Sequence, residues 1–168
     1  TWGANASQGT PVAIVFAVGA GAGDNVANYD GKLSKINGYA VGLTDATTTG
    51  VQWCNAAKAA LTNISESLTD YLGYSNTAAM SASVNPKGKD KKDVEIDLTF
   101  RASGSLETYA TSAPVTSSGW YIPSAKQLED LYAANISNSN YTAPLTDKLY
   151  WSSTIDKANN STLNLQSY

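Results

Sequence analysis

The sequence predicts a single α+β domain, and three local patterns carry that expectation. A β-branched apolar run at 12–18 and an alternating segment at 94–100 read as strands. Helix-spaced apolar residues at 55–72 and a capping box at Ser124 read as helices. The 168 residues are one domain's length, spanning 1–168, and enough to bury a core without disulfides or a metal.

Val12 to Val18 (VAIVFAV) is bounded by Pro11 and by the cluster Gly19, Gly21, Gly23, which predicts a buried, central strand. Tyr39 to Leu43, reaching residue 44, is the second strand and a partner for the first, approached through the polar stretch Lys32 to Gly38 and followed by a loop opening at Asp45. From Asn55 to Tyr71 the residues Ala57, Leu61, Ile64, Leu68, Tyr71 and Leu72 recur at helical spacing, with Gly73 placed as a C-terminal cap. A helix is therefore expected over much of Ala56 to Leu72. Lys87 to Asp93 is a charged, solvated turn ahead of a strand in which Val94, Ile96, Leu98 and Phe100 alternate with Glu95, Asp97, Thr99 and Arg101. After Pro123, Ser124 and Gln127 have capping-box spacing, so a helix runs from Ser124 to Ala134 and buries Leu128, Leu131 and Tyr132. Beyond Ser137 the chain is polar and Asn-rich, broken by Leu149, Tyr150 and Trp151, and no internal repeat is visible.

Composition excludes several chemistries. Leu, Ile, Val and Phe make up only 31 residues, a proportion that on its own suggests disorder, but sixteen aromatics and a net charge of −3 argue for a folded, aromatic-rich core. With no His and one Cys, the chain by itself cannot build Cys/His zinc sites, Ser-His-Asp or Cys-His catalysis, or a thiol redox pair. Cys54 has no internal disulfide partner. The acidic balance, with scattered charges, lacks the basic stripe that nucleic acid requires, so nucleic acid is not an expected partner. No apolar stretch reaches the length of a membrane span.

The motifs that suggest chemistry are weak ones. The run from Gly19 to Asp24 follows a strand but lacks nucleotide-binding spacing, and a loop in which Gly supplies positive φ accounts for it better. Glu129 with Asp130, and Asp90 with Asp93, are candidate acid–base pairs, yet adjacent helix residues do not face one another and the second pair lies in the Lys-rich turn. Asn5, Asn63, Asn135, Asn140, Asn159 and Asn160 each open an N-x-Ser/Thr sequon, many of them expected by chance in so Ser/Thr-rich a chain. No calcium loop is present, and neither a metal nor a cofactor is expected.

The segments GTPVAIVF at 9–16, INGYAVGLTDA at 36–46, VQWC at 51–54, GYSNTAAM at 73–80, SGWYIPSAKQLEDLY at 118–132 and YWSST at 150–154 occur in an order that resembles fimbrillin-type surface proteins of anaerobic Gram-negative gut bacteria. The pairing of GWYIPS with YWSST is similar to the wider C-type-lectin-like fold, a group that includes formylglycine-generating-type domains and the variable proteins of diversity-generating retroelements. The resemblance is strongest over 9–154. It implies a twisted, mainly antiparallel sheet with two or more packed helices and long loops. It also implies core roles for Trp120 and Ile122 beside the capped helix, and a strand from Tyr150 and Trp151. The closing strand falls on Ser161 to Tyr168 or is truncated within 155–168. The calcium-ligand triplets of sugar-binding lectins and the reactive cysteines of the formylglycine-generating enzymes have no counterpart here.

The only candidate nucleophiles are hydroxyls without a His and one thiol without a base partner, so no enzyme is expected, and the resemblance implies an adhesin-like binding module on the outer-membrane surface, taking a glycan or a surface protein as ligand. The ligand face maps to the loop after the Trp-Ser-Ser element, with Asn159, Asn160, Asn164 and Tyr168 as the binding candidates and no catalytic residues. The alternatives are a structural pilus or scaffold subunit that contacts other subunits, and a glycan hydrolase that would need two converging carboxylates.

Overall fold

A computed structural model of the chain describes residues 11–46, 63–82, 106, 109, 111–134 and 150–155. Over these residues the protein is mixed α+β: a two-stranded antiparallel sheet, a short 3-10 turn and two helices. In chain order they are β1 (Ala13–Val18), the 3-10 turn (Val26–Tyr29), β2 (Gly38–Gly42), α1 (Gly73–Ala82) and α2 (Ala125–Ala133).

The first two strands pair as expected, with Ala13 opposite Gly42 and Val18 opposite Gly38. The register slips between Val15 and Ala17, a bulge at Phe16. A bulge places two successive residues toward the same side of the sheet, and here Phe16 and Ala17 both pack against the core. Alternation already turns Val15 outward, and the slip brings Val18 to the same side, leaving them 62% and 89% exposed. The expectation of a buried strand is thereby corrected: an apolar run does not reveal that one of its faces is left to solvent.

The core beneath this sheet is made of phenol rings. Tyr29, Ile36, Tyr39, Tyr71 and Tyr74 are buried together, with Leu33 and Tyr121 packed against them. Tyr29 and Tyr74 lie 4.7 Å apart between ring centroids, Tyr39 and Tyr71 4.8 Å, and Tyr121 meets Tyr74 edge-on at 6.0 Å. Such tilted and edge-on contacts avoid the unfavourable face-to-face sandwich, and they offset the scarcity of aliphatic side chains. Gly21 makes the packing possible: a Cβ there would overlap the Tyr71 ring. Gly19 and Gly23 take positive φ, as expected of the glycine run.

The helix expected over 56–72 is not found where it can be checked. Residues 55–62 lie outside the described residues, and 63–72 are irregular, with Asn63 in the left-handed region. Ser65 Oγ accepts from Ser67 N, Ser67 Oγ from Thr69 N, and the Asp70 carboxylate from Leu72 N. These side chains offer the backbone local partners that compete with helical bonds. Tyr71 N donates to Ala22 O at 2.9 Å, so the backbone there is tied to the glycine loop. The helix begins instead at Gly73, the residue expected to end one. Thr77 secures that start, donating to Gly73 O at 2.8 Å and accepting from Ile122 N at 3.0 Å.

α2 follows its sequence signal. Ser124 Oγ accepts from Gln127 N, and Gln127 Oε1 accepts from Ser124 N at 2.9 Å, completing the capping box. Leu128 and Leu131 are buried as expected, but Tyr132 is 72% exposed. It stands in the last turn, at the margin of the buried stripe, where a phenol tolerates water. The Tyr150–Trp151 segment takes no regular strand, and the expected strand at 94–100 and the turn at 87–93 lie outside the described residues.

Candidate functional site

Two polar clusters organise the interior. The first is centred on Asp24, at the end of the glycine loop. Its Oδ2 accepts from Tyr29 at 2.6 Å and Tyr39 at 2.7 Å, while Oδ1 accepts from Asn28 Nδ2 and Asn25 N, both at 2.9 Å. Tyr39's oxygen in turn accepts from Gly21 N at 2.9 Å. Four donors occupy this carboxylate as an acceptor. Burial, then the bond to Asp24, pushes the Tyr29 hydroxyl far above the usual phenol range, and burial does the same to Tyr39 and Tyr121. All three phenols are neutral at every physiological pH; Tyr29 and Tyr39 donate to Asp24, and Tyr121 accepts from Gln127 Nε2 at 3.1 Å.

The second cluster joins the GWYIPS and YWSST motifs. Ser153 N donates to Pro123 O at 2.8 Å and Ala125 N to Thr154 Oγ1 at 3.0 Å. Ser124 Oγ donates to Asp70 O at 2.6 Å, tying the cap of α2 to the segment before α1. Asn76, from α1, accepts from Ser65 N at 2.8 Å and lies within hydrogen-bonding reach of Ser153 Oγ at 3.4 Å. Ser124, Ser152 and Ser153 are fully buried, and Asn76, Gln127 and Thr154 nearly so. Burying hydroxyls and amides is tolerable only when they are paired, and here most pairs reach across distant segments. The motif residues thus fasten the fold.

The candidate carboxylates are also engaged. Lys126 Nζ lies 3.0 Å from Glu129 and 2.9 Å from Asp130, so this pair shares one cation along the helix surface. Asp130 also accepts from the Tyr71 hydroxyl. Partial burial would raise the Asp130 pKa, but Tyr71 and Lys126 outweigh it and hold it below the usual carboxylate value. The group is ionised at neutral pH and unsuited to general acid work there. Asp70 accepts from Ser65 Oγ and Leu72 N. Asp90 and Asp93 lie outside the described residues. Among the described residues no group of three His, Cys, Asp or Glu side chains is placed to hold a metal ion, and no helix is long and apolar enough to cross a membrane.

The expected ligand residues Asn159, Asn160, Asn164 and Tyr168 lie outside the described residues, as do 156–168 as a whole. Trp120, expected in the core, is half-buried, its Nε1 donating to Thr111 O at 2.7 Å and its ring edge-on to Tyr109 at 5.4 Å. The Asp24 hub was not singled out from sequence. Its signal was the count of ten tyrosines, which implies buried hydroxyls needing acceptors. Neither the family models, nor the curated proteins, nor the solved structures contain a match to this chain.

Proposed function

We propose that this chain is a non-enzymatic, adhesin-like binding module of the bacterial cell surface, with a C-type-lectin-like fold, that recognises a glycan or a protein ligand. The observation that carries the reading is the junction of GWYIPS with YWSST, two segments about thirty residues apart joined by the Ser153–Pro123 and Thr154–Ala125 bonds. It supports a scaffold role for the motifs on which the resemblance rests, leaving recognition to loops carried on a rigid frame. The engagement of Asp24, Asp70 and Asp130 with hydroxyl, amide or ammonium partners favours binding over acid–base chemistry.

One observation favours the alternative, a structural pilus or scaffold subunit: the outward Val15 and Val18 of β1 are an apolar surface of the kind a second subunit covers. A glycan-array screen combined with capture of purified surface proteins separates the readings. The chain carrying Ala at Asn159, Asn160 and Tyr168 is tested beside wild type. Ligand retention lost in the triple variant supports the module with its site in that loop; retention by both supports the module with its site elsewhere. Self-assembly with no ligand retained supports the subunit reading and rejects the module. Turnover of any arrayed glycan rejects both.

A further inference from the structure

A cluster outside the interior suggests where a ligand sits. At the end of β2, Tyr109 donates its hydroxyl to Thr44 O at 3.1 Å and shares a second hydrogen bond with Thr44 Oγ1 at 3.0 Å. Both bonds are exposed to solvent. The Tyr109 ring stands at 74° to Trp120, so the two half-buried rings form a corner rather than a stack. Each ring is held by a polar anchor to main chain: Tyr109 to Thr44 O, Trp120 to Thr111 O. Gly42 makes the corner possible, since a Cβ there would come within 2.6 Å of the Tyr109 hydroxyl. Beside it, Tyr150 donates to Asp45 Oδ1 at 3.1 Å, which adds a third ring and a negative charge next to Thr44.

We propose that Tyr109, Trp120 and the exposed hydroxyl of Thr44 form a binding subsite for a neutral pyranose unit of a glycan, an inference that rests on the binding-module reading and names its ligand class. The apolar C–H face of a sugar ring is matched by an oriented aromatic face, and its hydroxyl protons by an acceptor: with the Tyr109 proton given to Thr44 O, Thr44 Oγ1 donates to the Tyr109 oxygen and keeps its lone pairs for the ligand. Thr44 supplies this acceptor at the rim of the corner. The oxygens of Thr44 and Tyr109 suit the hydroxyls of a neutral sugar. The anchors fix both rings before a ligand arrives, so little side-chain freedom is lost on binding.

The test uses the whole chain against an immobilised panel of neutral and sialylated oligosaccharides, the best-retained oligosaccharide then being titrated in solution. Retention of neutral members and not of their sialylated counterparts is expected. Tyr109→Ala is expected to weaken the titrated affinity about tenfold and Thr44→Ala about threefold. Tyr132→Ala, which removes an exposed ring on α2, is expected to leave it unchanged. Thr44 is exposed, so its variant reports on the subsite even if Tyr109→Ala disturbs folding. Neutral glycan binding that both Thr44→Ala and Tyr109→Ala leave intact, or a preference for sialylated members, overturns the subsite while the module reading stands. If no glycan is retained the subsite falls, and the module reading falls with it unless a purified surface protein is bound.

Discussion

At the scale of single residues, stability rests on carboxylates used as acceptors. Asp24 gathers four donors, two of them phenols of the core, and hydrogen bonds to a charged acceptor contribute about 1.5–3 kcal/mol each. Asp24→Ala leaves the Tyr29 and Tyr39 hydroxyls without their acceptor, and a loss of about 3–5 kcal/mol is expected in urea unfolding. Tyr39→Phe removes one donor to Asp24 and the acceptor of Gly21 N, for about 1–3 kcal/mol. Equal small effects from both variants would show that the hub is not a stabilising centre. Asp130 makes a different prediction, because its folded pKa lies below the ordinary value of 3.8. A depressed carboxyl contributes stability that is fully present above the unfolded pKa and is lost as pH falls through the folded one. Asp130→Asn is therefore expected to be less stable than wild type at neutral pH, with the difference closing as both are unfolded at progressively lower pH below about 4. A difference that persists unchanged in acid assigns the effect to packing instead.

At the scale of elements, capping decided one helix and side-chain competition displaced another. The Ser124 cap satisfies the Gln127 N–H and also reaches Asp70 O, so it serves helix and tertiary structure together. Ser124→Ala is expected to cost about 2–4 kcal/mol, above the roughly 1 kcal/mol of an ordinary cap, because the buried Asp70 carbonyl loses a donor as well. A thermal-unfolding shift no larger than that of a surface cap would separate the two roles. The segment before α1 teaches the converse. Its apolar spacing at Ile64, Leu68, Tyr71 and Leu72 imitates a helix, yet Ile64 and Tyr71 are buried through an irregular path that leaves Leu68 41% exposed. Periodicity reports which residues turn inward and not the backbone that takes them there. The interleaved Ser65, Ser67 and Thr69 were the contrary signal, since hydroxyls at every second position favour side-chain turns.

At the scale of the whole molecule, the tyrosine core is expected to fail as a unit in alkali. Burial raises Tyr29, Tyr39 and Tyr121 above the ordinary value of 10.0, with the bonds to Asp24 adding to it at Tyr29 and Tyr39, and burial with the bond to Asp130 pushes Tyr71 up to about 12. A raised phenol contributes stability that is fully present below the unfolded pKa and is lost as pH rises through the folded one. Above about pH 10 the wild type should lose stability progressively, and the buried tyrosinate absorbance should appear in one cooperative step with the loss of near-UV circular dichroism. Gradual ionisation of all ten tyrosines with the circular dichroism intact would show that these rings are not the core.

The sequence by itself determined the mixed α+β character, the pairing of the first two strands, the glycine loop and the capped helix α2. Each of these rests on interactions within a few residues or on a composition that constrains any fold: β-branching, positive φ at glycine, the Ser124–Gln127 reciprocity. Tertiary structure alone decided the exposure of Val15 and Val18, the start of α1 at Gly73, the half-burial of Trp120 and the gathering of phenols on Asp24. It also decided the corner of Tyr109, Trp120 and Thr44. The phenols that Asp24 accepts from stand 5 and 15 positions away, and Tyr109 meets Thr44 across 65. A hydroxyl's need for a partner is written in its own chemistry, whereas the identity of that partner depends on which distant segments packing brings within 3 Å.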